Sequence, residues 1–217
     1  MIARNVHSLL SELPPSVKLV AAAKGRTVAM VQAAIQAGVS IIGENYIQEL
    51  KTHREAIGES VAWHFIGALQ QNKVKLAVSL CDMIETVDSL ELAAAINRYA
   101  SVFNKVMPIL IEVNSGREGQ KAGILPEKVF ELAEQISHMT NLRLMGLMTM
   151  GPRTGDPETA RPYFTATRRL FEDLSAARIP RTSIEFLSMG MTNSYRVALE
   201  EGANIVRLGS KIFDSGN

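Results

Sequence analysis

A short apolar run followed by a stretch of helical period recurs eight times along this sequence, and that rhythm constrains the fold more than any single residue does. Residues 18–23 read as a strand. Thr27 then suits an N-cap for a helix over 28–37, with apolar positions at Val28, Val31, Ala34 and Ile35 and Gly38 as the stop. The unit returns as strand 40–42 with helix 44–57, strand 63–66 with helix 70–79, and strand 83–87 with an alanine-rich helix over 89–102. Strand 107–113 is the most continuous run; a long loop over 114–125 follows it, and Pro126 opens a helix reaching 138. Strand 144–148, a breaker-rich loop over 151–156, helix 157–177, strand 184–187, helix 192–200 and strand 204–208 complete the pattern. Runs that are apolar on both faces belong to parallel strands covered by helices, so the class is α/β. Eight of them favour closure into a (β/α)8 barrel, with an extra short helix over 3–10 ahead of the first strand. At 217 residues the barrel is compact for a class whose lower limit is roughly 200. An open doubly wound sheet is the alternative, because periodicity does not show closure. No linker or low-complexity stretch divides the chain, and 47% hydrophobic residues fill a full-sized core, so one domain over 1–217 is expected.

In a barrel of this kind the carboxyl ends of the strands share one face, and that face carries the site. Lys24 closes the run Lys18-Leu-Val-Ala-Ala-Ala-Lys24. An ammonium at the end of a buried strand is costly unless it finds a partner, reaches solvent or loses its charge, and an amine held partly neutral in a cleft forms a Schiff base with an aldehyde. The same face receives Gly43-Glu44-Asn45, His64, Glu112 and Asn114, Met148 and Thr149, Ser188-Met189-Gly190-Met191, and Arg207 with Gly209-Ser210. The last two groups suit a phosphate: Ser188 and Ser210 offer hydroxyls, and Gly190 and Gly209 allow main-chain N–H groups to approach an anion. Taken alone, Ser-Met-Gly-Met is also a plain turn before a helix.

Other groups read as structural. A formal net charge of +1 with no long single-sign run excludes a generic nucleic-acid or membrane surface. Cys81 is the only cysteine, which rules out an internal disulfide and suits a buried strand start in a reducing compartment. Neither a signal peptide nor an apolar run approaching ~20 residues is present, so a cytoplasmic address is expected. The methionines at 145, 148, 150, 189 and 191 fit barrel filling better than a soft metal site, and the four histidines lack metal-ligand spacing, so no metal is expected. His64 between Trp63 and Phe65 reads equally as a hydrogen-bonded core residue, Asn45 as a helix cap, and the loop bearing Lys121 as a solvated segment.

Ala-Ala-Ala-Lys24, Gly43-Glu-Asn-Tyr-Ile-Gln-Glu-Leu50, Trp63-His-Phe-Ile-Gly-Ala-Leu-Gln-Gln-Asn-Lys73, Gly146-Leu-Met-Thr-Met150, Leu187-Ser-Met-Gly-Met191 and Val206-Arg-Leu-Gly-Ser-Lys-Ile-Phe213 stand in order over nearly the whole chain. They resemble the pyridoxal phosphate (PLP) homeostasis proteins, also called proline synthase co-transcribed homologues. The resemblance implies a barrel like the amino-terminal domain of alanine racemase with PLP as cofactor. It implies Lys24 as the Schiff-base residue, Arg207 against the pyridine nitrogen, Ser188, Met191, Gly209 and Ser210 in the phosphate loops, and Asn45 and His64 along the cofactor ring. An arginine stays cationic, so at the pyridine nitrogen it discourages ring protonation and leaves PLP a weak carbanion stabiliser. Relatives commonly carry histidine where Ala68 stands and serine followed by acidic residues where Thr192-Asn193-Ser194 stand, and many have a longer amino-terminal helix.

Two functions compete. The first is a monomeric PLP carrier that buffers the cofactor or delivers it to apo-enzymes, touching amino-acid and keto-acid balance indirectly. The second is an amino-acid racemase with weak or narrow activity. Racemisation by two bases needs one on each face, and alanine racemase takes its second, a tyrosine, from a further β-rich domain. This sequence ends at Asn217, soon after the eighth strand, so no such domain is expected, and of the tyrosines only Tyr46 and Tyr195 fall near the mouth. A Schiff-base aldolase acting on a sugar phosphate would use the same loops but leaves Arg207 without a task.

Overall fold

In the computed structural model, residues 1–151 and 155–214 are described; residues 152–154 of the expected 151–156 loop, and the last three of the chain, lie outside the described residues. The strands are β1 (Lys18–Ala22), β2 (Ile41–Glu44), β3 (Ala62–Phe65), β4 (Met83–Val87), β5 (Met107–Val113), β6 (Leu142–Thr149), β7 (Thr182–Ser188) and β8 (Ile205–Leu208). They pair in parallel, in sequence order, and β8 returns to β1 with Val20 beside Arg207 and Ala21 beside Leu208. That pairing closes the barrel and removes the open sheet as an alternative.

The helices are α1 (Ile2–Glu12), α2 (Val28–Gln36), α3 (Ile47–Ile57), α4 (Val74–Leu80), α5 (Leu90–Val102), α6 (Val129–Ser137), α7 (Arg161–Ala176), α8 (Tyr195–Glu200) and α9 (Ser210–Phe213). Thr27 caps α2 by accepting from the Met30 N–H, and Ser89 caps α5 through Leu92 in the same way. The expected helix over 192–200 starts three residues late, because 192–194 form a turn in which the Ser194 and Tyr195 N–H groups both donate to the Met191 carbonyl. The four-residue α9 is an addition to the sequence reading. Strands β6 and β7 begin earlier than their apolar runs, since Arg143, Ser183 and Glu185 interrupt the hydrophobic signal while the backbone stays extended.

Side chains alternate across each strand, which sorts the barrel interior into layers. The interior is apolar at its base, where Val20, Ile41, Ile205 and Phe186 pack together, and a second apolar cluster of Met83, Leu110 and Met148 with Met145 and Met150 runs up β6 toward the mouth. Met145, Met148 and Met150 thus fill the barrel as expected, whereas Met189 lies in the core against the helices. Two residues further along five of these strands, the same inward parity falls on His64, Glu85, Glu112, Ser188 and Arg207, all buried. The alternate outward positions, among them Trp63, Phe65, Ile84, Ile109 and Leu208, form the main core against the helices.

Candidate functional site

Four of the five polar-layer residues form one hydrogen-bonded chain, with Glu112 beside it. Arg207 Nη1 donates to Ser188 Oγ at 2.6 Å and Nη2 to the Thr149 carbonyl at 2.9 Å. Ser188 in turn donates to Glu85 Oε2 at 2.7 Å, and His64 Nδ1 lies 2.6 Å from Glu85 Oε1. Burial works to raise the Glu85 carboxyl, but the His64 hydrogen bond and the charges of His64 and Arg207 hold it below the ordinary carboxylate value. Burial also draws the Arg207 guanidinium below its ordinary value, while Glu85 and Glu112 pull it back up. Arg207 is thereby held in place from below as a fixed cation. Glu85 is the residue that sequence reasoning missed; the available signal was a charge at the middle of Met-Ile-Glu-Thr-Val, sharing parity with Met83 inside a strand buried at every position.

The expected site residues divide accordingly. Ser188 does not present its hydroxyl to the phosphate loops: it is fully buried one layer below the mouth, between Glu85 and Arg207, which corrects the expectation of a free hydroxyl there. His64 is a hydrogen-bonded interior residue, 6% exposed, on the barrel side of β3. Asn45 is half-buried at the mouth and does not cap α3, whose cap position is Tyr46 with no side-chain bond. Lys24 lies just past the end of β1, not in it. The chain has already turned, so its side chain reaches solvent with Nζ 5.4 Å from the centre of the Tyr46 ring. The burial cost anticipated for this ammonium is therefore avoided by exposure together with a cation–π contact.

Next to β1 on its other side the loops after β7 and β8 meet, with Ser210 Oγ 3.1 Å from Thr192 Oγ1. Gly190 has φ +90°, and a Cβ there would fall 2.6 Å from the Ala198 methyl, so only glycine makes this turn. Met191 follows it, half-buried, and Gly209 sits beside Ala22 at the end of β1. Ser210 opens α9, where the Ile212 and Phe213 N–H groups both donate to the Gly209 carbonyl.

A cavity of about 210 Å³ opens at the ends of β2 to β6, lined by Asn45, Gly67, Ala68, Thr86, Glu112, Asn114 and Lys121 among others. A shallower hollow of about 450 Å³ adjoins it across Asn45, Gly67 and Ala68 and contains Lys24. Ala68, where histidine is common in the family resembled, is thus part of both walls. Burial raises the Glu112 carboxyl to about 7 against the opposing pull of Arg207. Lys121 reaches the cavity rim while pairing with Glu118 at 2.6 Å, so it is less solvated than its loop suggested. A phosphorylated aromatic aldehyde fits these groups: an amine at the rim, a buried arginine tethered beneath the mouth, and a glycine-bearing pair of loops that each bring a hydroxyl, Thr192 and Ser210. Among the described residues no group of three or more acidic, histidine or cysteine side chains is placed to hold a metal ion.

A closed barrel with this mouth has the architecture of the alanine racemase N-terminal domain, and the model of that family matches residues 1–215. Pyridoxal phosphate homeostasis proteins of Aquifex aeolicus and Pasteurella multocida are 39% and 37% identical to it, over 90% and 91% of this chain and 86% of each relative. The chain therefore belongs to the pyridoxal phosphate homeostasis proteins. PipY of Synechococcus elongatus, solved with PLP bound, superposes with a TM-score of 0.90 at 30% identity over 98% of this chain and 100% of that one. Alanine racemase of Clostridium difficile is 16% identical with a TM-score of 0.83, over 99% of this chain and 56% of that one, a likeness of fold.

Proposed function

We propose that this protein, acting as one domain over 1–217, holds pyridoxal 5'-phosphate covalently on Lys24 and serves PLP homeostasis by buffering the cofactor or passing it to apo-enzymes. When bound, PLP supplies an aldehyde that condenses with a primary amine with loss of water. The carrying observation is the arrangement of the mouth: an exposed lysine after β1, Arg207 held by Ser188 and through it Glu85, and the Gly190 and Gly209 loops meeting on the neighbouring strands β7 and β8. Arg207 takes the pyridine nitrogen, the Gly190-Met191 and Gly209-Ser210 backbone takes the phosphate, and Asn45 borders the ring. The names of the relatives support a non-enzymatic role, and Tyr195 is no free base, being buried with its hydroxyl on Glu12 at 2.6 Å, while Tyr46 stands beside Lys24. A monomer in the cytoplasm is the setting proposed. Among the described residues no helix is long and apolar enough to cross a membrane, and burial raises the lone Cys81 thiol, which keeps it unreactive.

The test is direct. Protein incubated with PLP and reduced with borohydride is expected to carry the added mass on the peptide containing Lys24, and Lys24→Ala to carry none there. An undiminished adduct in the variant sinks the assignment. Chiral analysis after incubation with L-amino acids is expected to find no racemisation; turnover of roughly 1 per second or faster would put the protein among ordinary enzymes.

A further inference from the structure

The turn that carries Lys24 is gripped by the next β/α unit. Glu49 on α3 accepts the Gly25 N–H at 3.0 Å. One helical turn further along α3, His53 brings Nε2 to 3.1 Å from the Arg26 carbonyl oxygen. Its other ring nitrogen, Nδ1, lies 2.6 Å from Glu44 Oε1. His53 is 3% exposed and Glu44 is fully buried. A carbonyl only accepts, so Nε2 carries hydrogen, and one further proton is shared between Nδ1 and Glu44. A buried acid and imidazole cost desolvation wherever they stand. Here that cost yields a bond to the backbone two residues beyond the amine that the proposed function uses. The far side of the same turn is held too, because Arg26 pairs with Asp214 and stacks 5.4 Å from the Phe213 ring of α9, the helix that Ser210 begins.

We infer that Glu44 and His53 are a positioning pair: Glu44, at the end of β2, orients His53, and His53 fixes the backbone of the Lys24 turn so that the amine stands at the barrel mouth. The inference rests on Lys24 as the holding residue. Lysine has a long flexible stem, so the placement of its Cα decides how often the amine meets a ligand seated between Asn45 and the phosphate loops. Glu44 immediately precedes Asn45, so the same strand end sets both walls.

Two variants separate positioning from mere packing. Asparagine in His53→Asn places its amide where Nδ1 stands, keeping Glu44 partnered but falling short of Arg26; glutamine in His53→Gln places its amide where Nε2 stands and keeps the Arg26 bond. The expected result is faster hydrogen exchange at residues 25–27 in His53→Asn. Capture of PLP by Lys24 should also slow roughly three- to tenfold, the size of one lost hydrogen bond, with His53→Gln within about twofold of wild type. Wild-type exchange and capture in His53→Asn, or equal losses in the two variants, would overturn the inference. A wild-type protein that forms no Lys24 adduct counts against the holding reading instead, and the exchange contrast then decides the pair by itself.

Discussion

Glu112 brings a carboxyl into the barrel beside the site, and the cost of doing so has a definite pH dependence. Burial lifts it from the ordinary 4.5 to about 7, so the folded protein keeps a proton that the unfolded chain has released in that interval. Its contribution to stability is whole below about 4.5 and is lost as the pH rises through about 7. Glu112→Gln cannot ionise. Relative to wild type it is expected to gain about 3 kcal/mol between pH 4 and pH 8, measured by urea unfolding at each pH; parallel curves for the two proteins would show that this carboxyl does not titrate there. Glu44, raised to about 7 by burial against its hydrogen bond to His53, leaves part of the same slope in the variant. At this scale the sequence was uneven. Lys24 and Arg207 stood out because a cation ending or interrupting an apolar run is rare and needs a reason. Glu85 and the true task of Ser188 did not, because each is defined by a partner on a distant strand, 103 positions apart in the chain.

Among the elements, the ends of β2 and β3 show how little room the mouth has. A Cβ on Gly67 would fall 2.2 Å from the Asn45 carbonyl oxygen and 2.7 Å from its Cα, and Thr86 Oγ1 already donates to the Gly67 carbonyl from the other side at 2.7 Å. Gly67→Ala must therefore push the β2 end outward. A loss of about 2 kcal/mol is expected from the overpacking, together with weaker PLP binding as Asn45 shifts, followed by thermal melts and spectroscopic titration. Gly119→Ala, with nothing within 4 Å of its added methyl, is expected to match wild type and so controls for the substitution itself. Strands β4 and β5 were legible to the residue, since each is a short, mostly apolar run between turn signals, despite Glu85 and Glu112 within them. The start of α8 and the whole of α9 were not. Their boundaries are set by Met191 accepting two N–H groups and by the chain folding back onto β1, neither of which has a local pattern.

At the scale of the whole molecule, closure joins the two ends of the described chain. Helix α1 packs on α2 and α9, Asn5 donates to the Ile212 carbonyl at 3.1 Å, and Glu12 accepts from Tyr195 and Arg196 on α8. Leu9, 1% exposed, lies inside that joint. Leu9→Ala is expected to cost about 3 kcal/mol and to lower the stability of the entire barrel in a single transition, with Trp63 fluorescence and circular dichroism coinciding. An α1 that melts first while Trp63 stays buried would show instead that the helix is an appendage. Periodicity and turn residues, read from the sequence, determined the α/β class, the number of strands and the face on which chemistry-bearing residues gather, because those signals are local and repeat with the backbone geometry. Closure of β8 on β1, the polar floor of Glu85, Ser188 and Arg207, and the exposed seat of Lys24 were decided only in the tertiary structure, because each depends on which side chains meet across the barrel.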